Sequence, residues 1–283
     1  MVNNRMGFIG ASEVPAICGE DSFCTALKLW SIKTGAIEPD DLSDNEAVEW
    51  GTRLERIVSK KFAESHKVKV IAYKKRYVHP DMPFFSCELD NIIAGTDELA
   101  EIKTVGAWSW KSWEKPDELP AKVIIQVMSQ LGLSKRLIGW VACLCGGQKY
   151  IEKKVEFDRE FFGTIEQRVR EFWKMVQDKI PPVAVAGDDS LLLDLNPRTS
   201  DEIQLVQSLN DSIRYYKELG MHIDQQMKEK EGIKAKIIQA IGGNAGIRTS
   251  EYVAKLIDIK AQRYEVVKEA SRQLRISKMK EVL

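Results

Sequence analysis

The sequence predicts an α/β sandwich with a mixed central sheet, extended at its C-terminus by a helical, coiled-coil-like arm. Two observations predict it. Across residues 1–182, segments of period-two alternation are interleaved with segments of helical periodicity, in the order helix, three strands, helix, strand, strand, helix. Beyond residue 200, Ile203, Val206, Leu209, Ile213, Tyr216, Leu219, Ile223 and Met227 recur at spacings of three and four, the stripe of a long helix. A length of 283 residues suits one substantial domain with an appended element. Apolar residues at 44% are enough for a core and exclude a disordered chain.

Taken in order, Gly10 and Ser12 mark a loop entering a first helix at Ser12, and a second short helix carries Leu27, Leu29 and Trp30 before Gly35 stops it. From Asn45 to Ser65 the spacing of Trp50, Leu54, Ile57, Val58 and Phe62 predicts a helix packed on one face. Strands follow at Val68–Val78, Phe84–Ile93 and Leu99–Val105, punctuated by Pro80, Pro83 and Gly95 as in an antiparallel meander. Leu119–Leu133 reads as a helix, and Gly139–Cys145 and Lys149–Phe157 read as strands around the Gly146-Gly147 turn. Asp158 is placed to cap a helix reaching Gln177, before Pro181-Pro182. Residues 183–200, with Gly187-Asp188-Asp189, are expected to link this domain to the arm at 201–283, where Arg248–Ile259 and Gln262–Val267 suggest a small hairpin.

Lys+Arg and Asp+Glu both total 42, so net charge says nothing about a polyanionic partner and distribution must decide. Between Arg53 and Arg76 nine basic residues stand against two acids. Such a stretch can track a phosphate backbone, and it also fits a solvated helix face followed by an exposed strand. Five cysteines without a C-x-x-C pair suit a reducing compartment, and Cys143 and Cys145 are expected on one strand face as small hydrophobes. No secretory signal and no run of about 18 apolar residues occurs, so a soluble, intracellular protein with no membrane partner is expected. His66, His79 and His222 are too scattered for a zinc site.

Asp90, Glu101 and Lys103 carry the best chemical signal. Glu101 and Lys103 share a strand face by the period-two rule, and a hairpin register can bring Asp90 beside Glu101. Two carboxylates are hard oxygen ligands suited to Mg²⁺, with Mn²⁺ as a substitute. With an ammonium beside them they suit hydrolysis of a phosphodiester, in which Lys103 positions water or stabilises the oxyanion. The spacing alone arises often in a chain that is 30% charged. Its setting raises it: Glu101-Ile102-Lys103-Thr104 lies inside an otherwise apolar strand, and Glu55 and Gln126 fall on the helices expected to flank it. Trp108, Trp110 and Lys111 follow in a loop that can stack on nucleic acid, and core packing or an oligomer contact explains the tryptophans equally well.

Four blocks, in order, resemble the lambda-exonuclease or YqaJ-like viral recombinase nucleases, a branch of the PD-(D/E)xK phosphodiesterases, over roughly residues 5–178. They are Arg5-Met6-Gly7-Phe8-Ile9-Gly10-Ala11-Ser12-Glu13-Val14, Trp50-Gly51-x-x-x-Glu55, Asp90 with Glu101-x-Lys103, and Gln126-Val127-x-x-Gln130. The resemblance implies a restriction-endonuclease-like core. It also implies Asp90, Glu101 and the Ile102 carbonyl as metal ligands, Lys103 at the attacking water, and Glu55 at a metal-bound water. Gln126, preferred over Gln130, would support Lys103 and the scissile phosphate, and Arg5 with Ser12 would hold a terminal 5′-phosphate. The implied activity is 5′→3′ degradation of double-stranded DNA ends, leaving 3′ tails for phage-type recombination in the cytoplasm of a bacterial host. A ring-shaped homotrimer and a single-strand annealing recombinase are the implied partners. Glu88 departs from the small residue or proline usual two before the aspartate, and it either faces the site or is a solvated acid. A nicking or structure-selective endonuclease on the same fold, and a non-catalytic DNA-end scaffold, are the competing readings.

Overall fold

In the computed structural model, which describes residues 6–113, 118–261, 272, 274 and 276 and of Lys74 and Trp110 only the backbone, the long helices start at side-chain acceptors. Asn45 Oδ1 accepts from Ala47 N and Val48 N at the head of α3 (Glu46–His66). Asp158 Oδ1 does the same for Glu160 N and Phe161 N at the head of α5 (Arg159–Asp178). Before α3 come β1 (Ile9–Gly10), the single-turn α1 (Val14–Ile17) and α2 (Ala26–Lys33). After it come β2 (Val70–Val78), β3 (Phe85–Ile93) and β4 (Glu98–Val105), then a 3-10 segment at Ala107–Trp113 and α4 (Ala121–Ser134). The strands β5 (Ile138–Cys145) and β6 (Lys149–Glu156) precede α5, and α6 (Asp189–Leu195) follows it.

The sheet is mixed. β2, β3 and β4 form the predicted antiparallel meander, β4 and β5 run parallel with α4 as their crossover, and β6 returns antiparallel to β5. β1, which the sequence reading missed, pairs parallel with Phe85 and Ser86 of β3. Ser86 also pairs with β2, and so do Asn91 and Ile92, which pair with β4. β1 and β4 therefore share one edge of β3, at its start and its end, with a gap between them. Period-two alternation divides the core. Ala100, Ile102 and Ala142 pack under Val58 and Phe62 of α3, while Leu99, Val141, Cys143 and Cys145 pack under α4 and α5 with Val127, Leu131, Phe162 and Ile165. All five cysteines are free thiols.

Several elements differ from the sequence reading. The first helix starts at Val14, because Glu13 turns its carboxylate back to Gly10 N (2.8 Å) and to the buried Lys33 ammonium (2.8 Å), and Ser12 caps nothing. Trp50 is 54% exposed and Ile57 is exposed too. The buried apolar residues of α3, Val58 and Phe62, lie in its second half, while Val48, Gly51, Thr52 and Glu55 of the first half line a cavity.

By contacts the chain divides into Met1–Pro197 and Arg198–Leu283, so the expected linker 183–200 lies largely with the first unit. Its Asp188, 1% exposed, accepts from Thr25 Oγ1 (2.5 Å) and Val185 N (2.8 Å). In the second unit, α7 (Asn210–Ile241) starts seven residues beyond Ile203, after a 3-10 turn at Gln207–Leu209. A hairpin of β7 (Gly246–Arg248) and β8 (Val253–Lys255) splits the predicted strand at Arg248–Ile259, because Thr249 Oγ1 accepts from Tyr252 N (2.9 Å) and turns the chain. Gln262–Val267 lie outside the described residues. No described helix is long and apolar enough to cross a membrane.

Candidate functional site

The gap in the sheet begins at Asp90. β3 and β4 are registered only at Asn91↔Ala100 and Ile92↔Leu99. Against β2, Asn91 pairs with Ala72 and Leu89 with Tyr73, so Asp90 is an extra, bulged residue with no registered partner on either side. Its carboxylate fills the missing ladder position, with Oδ2 accepting from Ile102 N at 2.9 Å. The N–H and C=O of one strand residue point to the same edge, so the Ile102 carbonyl also faces this gap.

Glu101 and Lys103 project on the α4 side of β4. Glu101 is 2% exposed and fully held: Oε1 accepts from Lys103 Nζ (2.7 Å) and Gln126 Nε2 (2.6 Å), and Oε2 from Gln130 Nε2 (2.7 Å). Lys103 also donates to Gln126 Oε1 (2.9 Å), so one amide bridges the acid and the ammonium. Gln130 Oε1 is buried without a hydrogen bond among the described residues.

Burial, and then the charge of Glu101, push Asp90 up to about 8 against the opposing pull of the Ile102 N–H and Lys103. Burial pulls Lys103 down, but the charge and hydrogen bond of Glu101, with Asp90 behind them, outweigh it and hold the ammonium above its ordinary value. The gap thus gathers negative charge out of water with one cation to balance it. Among the described residues no cluster of three His, Cys, Asp or Glu side chains forms a metal array. The donor set here is instead two carboxylates and a carbonyl, all hard oxygens, and Asp90 Oδ1 accepts no hydrogen bond among the described residues. These residues fit a Mg²⁺-like ion, which takes one or two protein carboxylates and completes its shell with water and phosphate.

A cavity of about 520 Å³ opens over the gap, lined by Glu55, Asp90, Glu101, Ile102, Lys103 and Gln126, with Ser12 on its wall. The structure thus brings together all but four of the residues singled out from the sequence. Arg5 lies outside the described residues. Trp108, 97% exposed, and Lys111 do not line the cavity, the side chain of Trp110 is not described, and Trp113 packs into the core. His79 and His66 pair with Glu166 and Glu152, away from it. Gln130 and Arg76 line the cavity as well. Gln130 was ranked behind Gln126, although a spacing of four puts both on one helix face. Arg76 was one of nine basic residues in its stretch, with no local signal to single it out.

Residues 2–136 match the family described as the YqaJ-like viral recombinase domain. An uncharacterized protein of Bacillus subtilis (strain 168), YqaJ, is 30% identical over 252 residues, covering 82% of this chain and 78% of that protein. The alkaline exonuclease LHK-Exo from Laribacter hongkongensis has a similar fold, with a TM-score of 0.52 at 19% identity over 62% of this chain and 91% of its own. LHK-Exo in complex with dAMP gives a TM-score of 0.52 at 20% identity, with the same coverage. At that identity the likeness is one of fold, a mixed sheet flanked by helices. The relation to YqaJ covers more of the chain than its first unit contains, 197 of 283 residues. On that breadth of identity, the chain belongs to the YqaJ-like viral recombinase family.

Proposed function

We propose that the protein is a divalent-metal-dependent deoxyribonuclease that degrades double-stranded DNA from its ends, 5′→3′, leaving 3′ single-stranded tails for recombination. One observation carries the reading: Asp90, Glu101, Ile102 and Lys103 line one cavity where β3 and β4 part, with Asp90 on the Ile102 N–H and Lys103 on Glu101. Asp90, Glu101 and the Ile102 carbonyl would hold a Mg²⁺ or Mn²⁺ ion, which would supply Lewis acidity to the phosphodiester.

Lys103, kept charged by Glu101, acts as a donor rather than a base, orienting water and stabilising charge that develops on the phosphate oxygens. Gln126 fixes the ammonium, and Gln130 fixes the far oxygen of Glu101. Glu55, which lines the same cavity, is assigned to accept a hydrogen bond from a water of the reaction. Water attacks phosphorus opposite the 3′ oxygen, forming one P–O bond as the P–O3′ bond breaks. The 3′ oxygen takes a proton and leaves as the 3′-hydroxyl of the released nucleotide, which keeps the 5′-phosphate it already carried, and the attacked phosphate becomes the new 5′ end of the shortened strand. The dAMP bound to LHK-Exo is a product of that class, which supports the reading.

Arg5 and Ser12 are assigned to a terminal 5′-phosphate, Trp108, Trp110 and Lys111 to the flanking DNA, and the 3′ tail calls for a single-strand annealing partner. A homotrimer is the assembly expected, to be measured by sedimentation. The test of function is digestion of linear duplexes labelled at either end, with and without a 5′-phosphate, beside a covalently closed circle. Linear DNA should be lost from its 5′ ends with Mg²⁺, and the Asp90→Ala variant should be inactive. Cutting of the closed circle, or undiminished cutting by the variant, overturns the reading.

A further inference from the structure

β2 carries a second irregularity. Tyr73 pairs with Leu89 and Tyr77 with Cys87, so residues 74–76 stand opposite Glu88 alone. Bulges re-aim side chains, and here Arg76 lines the same cavity as the carboxylates. Its guanidinium lies 4.2 Å from the centroid of the Phe8 ring, and its Nη2 is 3.4 Å from Glu88 Oε1. Both partners are about half exposed, at 43% and 55%. The backbone carbonyl of Glu88 accepts from Gln130 Nε2 (3.4 Å), the amide that also holds Glu101, so this strand position is tied to the carboxylate network.

The charges around the cavity explain why this arginine matters. The described lining holds five acids, Glu13, Glu55, Glu88, Asp90 and Glu101, and two cations, Lys103 and Arg76. Lys103 is committed to Glu101 and Gln126. Arg76 is held by one long, half-exposed ion pair of the kind worth little in water, so an incoming phosphate displaces Glu88 at small cost. The Phe8 ring keeps the fork oriented meanwhile, and a guanidinium binds phosphate oxygens in pairs.

We propose that Arg76 binds an internal phosphodiester of the DNA strand in this cavity, leaving Glu88 to do so, and that the pair sets how tightly DNA is held. The ligand is a diester because Glu88, two residues from Asp90, repels a dianionic terminal phosphate more than a monoanion. The inference rests on the nuclease reading. Its test is fluorescence anisotropy with labelled duplexes bearing a 5′-hydroxyl or a 5′-phosphate, in EDTA and over a salt series, beside cleavage assays of the same proteins in Mg²⁺. Arg76→Ala should weaken binding of both duplexes about tenfold and lower the salt slope by about one. Arg76→Lys should recover part of the loss, and Glu88→Gln should tighten binding. Unchanged affinity and slope in Arg76→Ala, or weakening by Glu88→Gln, overturns the assignment, and an effect confined to the 5′-phosphorylated duplex overturns the diester. A wild-type protein that cuts DNA while Arg76→Ala binds normally fails this inference alone; one that neither binds nor cuts fails the nuclease reading with it.

Discussion

Helices α4 and α5 pack against each other over one face of the sheet, yet they are built by different rules. α5 buries Phe162, Ile165, Val169 and Phe172, at spacings of three and four, and leaves its other faces largely to solvent. α4 buries nine residues, on every side, and three of them are polar. Ser129 satisfies itself on the carbonyl of Ile125 (2.8 Å), but Gln126 and Gln130 reach across to Glu101. An amphipathic stripe is what packing alone selects. Buried amides on a helix are tolerated only where a partner waits for them, and here the partner is the acid of the site. The contrast separates residues that hold the fold from residues that the fold holds for chemistry.

The sharpest break of that contrast comes at Asp90. Asp90→Asn keeps an oxygen to accept from Ile102 N and removes a buried charge, so cleavage should fall at least a thousandfold, about 4 kcal/mol, while the metal-free protein becomes more stable at alkaline pH. The sign follows from the raised value of about 8. Below the ordinary carboxylate value of about 4 both states are protonated and the stability is intact. As pH rises the unfolded chain loses its proton first, so stability of the wild type falls until the folded group titrates near 8. In EDTA the asparagine variant should lack that fall and end about 1–3 kcal/mol ahead above pH 8, or roughly 2–4 °C in Tm per kcal/mol. A melting curve of the variant that follows the wild type at every pH would show that Asp90 is not strained by its surroundings.

The next effect belongs to α5. Phe162→Ala removes a ring packed against Phe85 and Phe157 and should cost about 3–5 kcal/mol in chemical denaturation, with cleavage per folded molecule unchanged. That ring also fills the space where a Cβ on Gly132 of α4 would come within 2.4 Å of it, so Gly132→Ala should destabilise by about 1–3 kcal/mol. Gln126→Leu should do the opposite in kind: stability within about 1 kcal/mol, but kcat lowered ten- to hundredfold, because Lys103 loses the acceptor that orients it. Should Phe162→Ala cripple kcat in the folded fraction, or Gln126→Leu unfold the protein, the division between the two helices fails.

The sequence made α5 nearly fully legible because its periodicity, its Asp158 cap and its proline stop all say the same thing. The helix at α3 was legible in extent but not in facing: Trp50 and Ile57 fit the apolar stripe yet are exposed, and no local signal separates them from Val58 and Phe62, which are buried. Asp90, Glu101 and Lys103 were found by spacing on strands, which alternation handles well. A hairpin register is enough to expect their convergence, but not the route to it, because the bulge at Asp90 and the divergence of β3 from β4 are set by pairing between distant segments. Arg76 was invisible for the same reason. It is the last of three consecutive basic residues, after Lys74 and Lys75, and only the register of β2 selects it.

At their ends the two helices are alike. α4 stops at Lys135 (φ 57°) and α5 at Lys179 (φ 55°), both in the left-handed region, as does α3 at Lys67 (φ 54°). At α5 the closing bonds are Ile180 N to Met175 O (3.0 Å) and Lys179 N to Val176 O (3.3 Å), an arrangement that most often has glycine at the turning residue. A side chain there costs about 1–2 kcal/mol, and glycine gives back about 0.5–1 kcal/mol through the greater freedom of its unfolded chain. Lys179→Gly should therefore stabilise by a few tenths to about 1 kcal/mol. The gain should appear as a rise in the denaturant midpoint with an unchanged slope. Lys135→Gly should match it, since the cap is local and indifferent to whether its helix carries chemistry. A gain at Lys179 with a loss at Lys135 would mean that Lys135 serves the protein through its charge rather than its backbone.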